Sequence, residues 1–156
     1  MDLSRPENAG ALAYLARRHP GAVPLAPPES VADPYYQLGS HPDIVERLWV
    51  NLNQALPHDC RQIVYGTPAL VQPETGSLLA LALGTQYNLQ LPKGLAERAV
   101  RAGAQILTRW AGAATLDVRQ EFGESWVFGR FLAGEPDWLN QAYRFFASLN
   151  QTGAEE

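Results

Sequence analysis

The chain is poor in the residues on which most compact chemistry is built. Its 156 residues hold one cysteine, Cys60, and three histidines, His19, His41 and His58. A lone thiol excludes an intrachain disulfide and fits a reducing, cytoplasmic home better than a secreted one. Scattered histidines with no HxxxH pair and no second cysteine lack the usual zinc ligand spacing, so no metal is expected. No phosphate loop or dinucleotide fingerprint accompanies the glycines, and no cofactor is expected either. No stretch nears the roughly 18 uninterrupted apolar residues that suggest a membrane span. The N-terminus, MDLSRPENAGALAYLARRHP, lacks a signal peptide's basic start and apolar run. Lysine is nearly missing: Lys93 stands alone among 12 basic residues, a bias that fits a GC-rich bacterial genome and that folding does not demand. Against 16 acidic residues the formal charge is −4, which argues against a nucleic-acid binder.

What is present describes a folded domain. The composition is 46% hydrophobic and 18% charged, outside the range of disordered chains, and the length suits one domain with a sizeable core. Residues 1–38 read as an N-terminal helix, about Glu7 to Arg18, followed by an arm. There Pro20, Pro24, Pro27, Pro28 and Pro34 forbid regular structure. Residues 39–150 read as a single α+β domain, and 151–156 as a frayed tail.

The stretch from Pro68 to Pro92 fixes the centre of that domain. Gly84-Thr85 fits a two-residue type II′ loop, in which glycine supplies the positive φ. The implied register pairs Leu83 with Gln86, Ala82 with Tyr87, Leu81 with Asn88, Ala80 with Leu89 and Leu79 with Gln90. One face then carries Leu78, Ala80 and Ala82 beside Tyr87, Leu89 and Leu91. The other carries Leu79, Leu81 and Leu83 beside Gln86, Asn88 and Gln90, with Leu70 across from Leu79. Such a leucine patch is seldom left bare on a monomer. The common outcome is cover by one of the chain's own aromatic helices. The sharper one is a partner or a second copy, with the amides as polar rim.

Helices are expected near 41–56, 94–110 and 136–149. In the first, Ser40 is the expected cap and Pro42 sits in the first turn. Arg61 to Gly66, Thr115 to Val118 and Trp126 to Leu132 are candidate further strands. The fold class is therefore α+β: an antiparallel β-meander over about 69–91, extended by 61–66, 115–118 and 126–132, flanked by three main helices.

Chemistry-bearing residues cluster weakly. His58-Asp59-Cys60 brings base, acid and nucleophile types together, but immediate neighbours rarely aim at one point and no nucleophile elbow follows. Asp117, Glu121, Glu124 and Glu135 lie near Trp126 and Trp138 in sequence, as a glycosidase's carboxylates and stacking aromatics would, although spacing alone brings no two together. Arg98, Arg101 and Arg109 share roughly one helical face, with forked donors suited to an acidic partner. Pro24 and Pro27 satisfy one PxxP pattern, which more simply reads as a rigid spacer.

The expectation is a non-catalytic bacterial protein-binding module (an adaptor, inhibitor or immunity-type factor) contacting a protein partner or a second copy of itself as a homodimer. Its binding residues would be Leu79, Leu81, Leu83, Gln86, Asn88, Gln90, Arg98, Arg101 and Arg109. The alternative is a small hydrolase using Cys60 with His58, or a carboxylate pair in 117–137 such as Glu121 and Glu124. A third reading is an apolar-ligand pocket between the sheet and the last helix.

Overall fold

A computed structural model of the chain describes residues 2–37, 39–109 and 120–154. A 3₁₀ turn, Pro6–Asn8, leads into α1 (Ala9–Arg18), and a single helical turn, α2 (Pro34–Gln37), follows the proline-rich stretch. Next come α3 (Pro42–Glu46), which continues as a π turn and a 3₁₀ turn through Ala55, and strands β1 (Arg61–Val64), β2 (Thr67–Val71), β3 (Leu78–Leu83) and β4 (Gln86–Gln90). The remainder is α4 (Lys93–Arg101), β5 (Gln105–Ile106), β6 (Trp126–Phe128) and α5 (Glu135–Ala154). The six strands form one sheet in the order β1-β2-β3-β4-β6-β5, with every neighbouring pair antiparallel. This is an α+β fold centred on the expected meander. Thr115 to Val118 and Asp117 lie outside the described residues.

The β3–β4 hairpin has the expected turn and register. Gly84 has φ +65° and Thr85 is not left-handed, as type II′ requires. Leu83 faces Gln86, Ala82 faces Tyr87, Leu81 faces Asn88 and Ala80 faces Leu89. The expected pairing of Leu70 with Leu79 does not occur. Leu70 faces Ala80 and Val71 faces Leu78, so the register slips at Leu79 and a bulge forms. Because side chains alternate with period two, the extra residue moves Leu79 to the Ala80 face and Leu78 to the Leu81 face.

Helices cover both faces of the sheet. Over the face carrying Leu70, Leu79, Ala80, Tyr87 and Leu89 lie α3 with its extension, α4 and α5, contributing Val45, Leu48, Trp49, Leu95, Ala99, Leu139 and Phe146 to one core. Trp49 also donates its indole N–H to the Ala69 carbonyl at 2.9 Å, tying helix to sheet. Over the opposite face lies α1, whose Ala11 and Leu15 pack with Leu78, Leu81, Leu83, Phe122 and Trp126. The N-terminal segment thus supplies half of the cover. Between α1 and α3 the chain runs along the sheet: Ala26 and Ile63 exchange both backbone hydrogen bonds, and Tyr65 N–H reaches Pro24 O.

Four further expectations are corrected. The helix expected over 94–110 ends at Arg101, because Gly103 turns the backbone left-handed (φ +107°) and the chain then enters β5. His41 rather than Ser40 caps α3: its Nδ1 accepts the Asp43 N–H at 3.1 Å, while Ser40 Oγ donates to Ala82 O at 2.8 Å. Strand β6 stops at Phe128, where Gly129 passes so close to Tyr87 that a Cβ would lie 2.1 Å from its ring. Helix α5 runs to Ala154, past the start of the expected frayed tail. No helix among the described residues is long and apolar enough to cross a membrane.

Candidate functional site

The leucine–amide face is interior. Leu79, Leu81 and Leu83 are buried, and so are Asn88 and Gln90, while Gln86 is half-buried at the hairpin. Over Leu81 and Leu83 the cover is α1 and the turn bearing Phe122, whereas Leu79, moved to the other face by the bulge, packs in the core that the aromatic last helix completes. Gln90 turns its Nε2 to Leu78 O at 2.7 Å and Asn8 Oδ1 at 3.3 Å. Asn8 in turn accepts Leu78 N–H and donates to Gly76 O, binding the start of α1 to β3. Among the described residues Asn88 finds no hydrogen-bond partner for either amide atom. Leu79, Leu81, Leu83, Asn88 and Gln90 therefore belong to the interior and offer no surface to a partner.

The candidate thiol is equally enclosed. Cys60 is fully buried, and burial, helped by the neighbouring Asp59 charge, pushes its pKa up to about 12, opposite to what a nucleophile needs. Among the described residues no histidine hydrogen-bonds it. His58 lies on the surface, where its Nε2 takes a hydrogen bond from Arg61, in a cleft of about 250 Å³ walled by Pro27, Pro28 and Glu29. The triplet expected as a dyad is thus split between interior and surface.

Three of the candidate carboxylates are each matched to an arginine, and the fourth, Asp117, lies outside the described residues. Glu121 pairs with Arg17, Glu124 with Arg109 at 2.9 Å, and Glu135 with Arg47 at 2.9 Å. Arg109, held also by Glu97 at 3.7 Å, is thereby taken out of the expected arginine row. Arg98 and Arg101 remain exposed on α4.

The most organised polar site is the one around Glu135. This carboxylate is 1% exposed at the first residue of α5. One oxygen accepts from Arg47 Nη2 and from the Tyr87 hydroxyl, and the other accepts Arg130 N–H at 2.9 Å. Tyr87 Oη in turn accepts Phe131 N–H at 2.7 Å and Arg47 Nε at 3.3 Å. Burial, reinforced by the Glu135 charge, holds the Tyr87 phenol well above its ordinary pKa. Burial alone would lower Arg47, but its bonds to Glu135 and Tyr87 outweigh that and raise it. The three side chains join α3, β4 and α5.

No protein-family model, curated protein or solved structure matches the chain. Function must be argued from the chain's own surface.

Over the Arg47–Tyr87–Glu135 cluster sits Phe131. It has a left-handed backbone (φ +56°) and is 58% exposed. Arg47 Cζ lies 5.2 Å from its ring centroid, and the Tyr87 ring meets it edge-on at 5.2 Å. The underside of the phenyl ring is thus fixed, and the rest stands in solvent. A second feature lies between α4 and α5, where a groove of about 300 Å³ is lined by Pro92, Gly94, Leu95, Arg98, Gln141 and Phe145. Phe145 is 46% exposed. Sequence reasoning missed Arg47, Tyr87, Phe131 and Phe145. Nothing in the sequence singled out Arg47, which stands beside Glu46 between Val45 and Leu48 like any charge flanking an apolar stripe.

Proposed function

We propose that the protein is a non-catalytic binding module of bacterial, cytoplasmic origin, working through protein–protein contact, with Phe131 as an anchor residue. The observation that carries this reading is how Phe131 is held. Left-handed backbone in a non-glycine residue costs on the order of 1–3 kcal/mol and persists where surrounding structure enforces it. Here the enforcing structure is a buried Arg–Tyr–Glu cluster, and its outermost product is an aromatic ring backed by Arg47 and Tyr87 and exposed to water. An aromatic anchor whose ordering is complete before binding loses little further entropy on docking, as interface hot spots require. Arg130, beside it and exposed, adds the residue type that most often accompanies such an anchor. The hydrolase alternative draws no support from Cys60, which is buried and protonated, nor from Glu121, Glu124 and Glu135, each bound to an arginine.

A photo-crosslinking residue placed at position 131 in the native cells tests the proposal, with the exposed Val23 as control site. A discrete protein adduct from 131, absent from 23, is expected. Equal, diffuse labelling from both positions would remove the anchor reading.

A further inference from the structure

Charge on this acidic protein is unevenly spread. The chain carries −4 overall, yet Lys93, Arg98, Arg101 and Arg144 are all exposed on α4 and α5, the two helices that form the groove, and Arg98 lines it. None of the four has an ion pair among the described residues; Arg98 only reaches Gln141 Oε1 at 3.3 Å. Two acids on the same helices are engaged. Asp137 accepts from Gln141 Nε2 at 2.8 Å, and Glu97 faces Arg109. The groove floor is apolar: Leu95 is buried beneath it, Pro92 closes one end, and the Phe145 ring forms a half-exposed wall. Gly94 adds no side chain, and a Cβ there would meet nothing within 4 Å. An apolar trough lined by Arg98, with three more cations lacking ion pairs exposed on the same two helices, selects a segment that is apolar on one side and anionic on the other.

We infer that the α4–α5 groove is the docking site for an acidic amphipathic segment of a partner protein. This rests on the protein-binding reading above and adds the partner's chemistry. The apolar side chain of the segment enters the trough between Leu95 and Phe145, and its carboxylates meet Arg98, Arg101 and Arg144. The Arg98 guanidinium leaves Gln141 to take a forked carboxylate bond, which its planar donors favour over the amide.

The test uses the full chain and a fluorescent helix-forming peptide with leucine at every third or fourth position and glutamate elsewhere. Companion probes are a lysine-for-glutamate peptide, a single-stranded oligonucleotide and anionic lipid vesicles. Saturable binding of the Glu/Leu peptide is expected. It should weaken about tenfold or more in Arg98→Glu/Arg101→Glu, by a smaller factor in Phe145→Ala, and with added salt. Phe131→Ala should bind this peptide as wild type does. Absence of saturable binding, equal binding of the lysine peptide, or binding untouched by the charge reversal each overturns the inference. So does tighter binding of oligonucleotide or vesicles, or concentration-dependent self-association abolished by the same reversal. All substituted side chains are exposed or half-exposed, and unchanged thermal unfolding verifies the fold. A failed peptide arm with an intact Phe131 adduct removes the groove's role alone; loss of both removes the binding reading itself.

Discussion

Truncating Glu135 is the sharpest test of what holds this fold together. In Glu135→Ala the guanidinium of Arg47, whose side chain is only 13% exposed, loses its counter-ion, and the Tyr87 hydroxyl and Arg130 N–H lose their acceptor. Removing one member of a buried ion pair costs about 3–5 kcal/mol, because the survivor stays desolvated without compensation. Adding three charge-assisted hydrogen bonds at about 1.5–3 kcal/mol each gives a larger sum. The lower range is the better guide, since Arg47 keeps Leu132 O at 3.4 Å and Tyr87 Oη at 3.3 Å. For a chain of this length, about 2–4 °C per kcal/mol converts that loss into a fall in Tm of about 6–20 °C. Urea unfolding followed by tryptophan fluorescence measures it directly. A cycle with Arg47→Ala should show the double variant losing less than the sum of the singles, by about 1–3 kcal/mol. A loss under about 1 kcal/mol, or strictly additive singles, would refute the reasoning that the cluster is one coupled unit.

Other outcomes follow from single positions. Gly129→Ala should fail to fold or lose several kcal/mol, since its methyl would overlap the Tyr87 ring, whereas Gly94→Ala in open space on α4 should gain about 0.4–1 kcal/mol in melting experiments. Asn88→Leu should be neutral or stabilising by about 1 kcal/mol, because it removes two buried amide atoms that have no partner; a clear loss in urea melts would show that the amide is served in solution. Native Cys60 should resist alkylation at pH 8 and react only at the rate of unfolding. Its raised pKa also sets a pH slope. Above about pH 9 the unfolded thiol ionises while the folded one stays protonated to about 12, so stability falls as pH rises through that window. Tyr87 joins only above its ordinary value of 10.0, so Cys60→Ala should flatten the part of the slope between about 9 and 10.

The hairpin was readable because two independent signals agreed: a glycine where φ must be positive, and alanines facing large side chains. The bulge at Leu79 left no mark, since in the run Leu78 to Leu83 a slipped register is as apolar as the intended one. Gly103 was legible as a weak helix position, and its true role as the end of α4 needed the left-handed φ that only structure gives. The cover over Leu81 and Leu83 was unreadable for a different reason. Local patterning shows that a face must be covered, but α1 and Phe122 reach it from distant parts of the chain. The same distance hides the Arg47–Glu135 pair, 88 residues apart in sequence. The acids and the arginine row were named from composition and periodicity, and tertiary pairing then removed Glu121, Glu124 and Arg109 from the candidates.

The bridge between Ala26 and Ile63 has a consequence for solubility. Strand β1 borders the sheet, and a bare border with free N–H and C=O groups invites neighbouring molecules to polymerise strand on strand. Here the chain lays its own residues 24–26 along that border, and the next two positions, Pro27 and Pro28, have no N–H to extend the ladder. The proline-rich passage thereby works as a selvage, finishing the woven edge at β1 so that the sheet does not continue past that border into the next molecule.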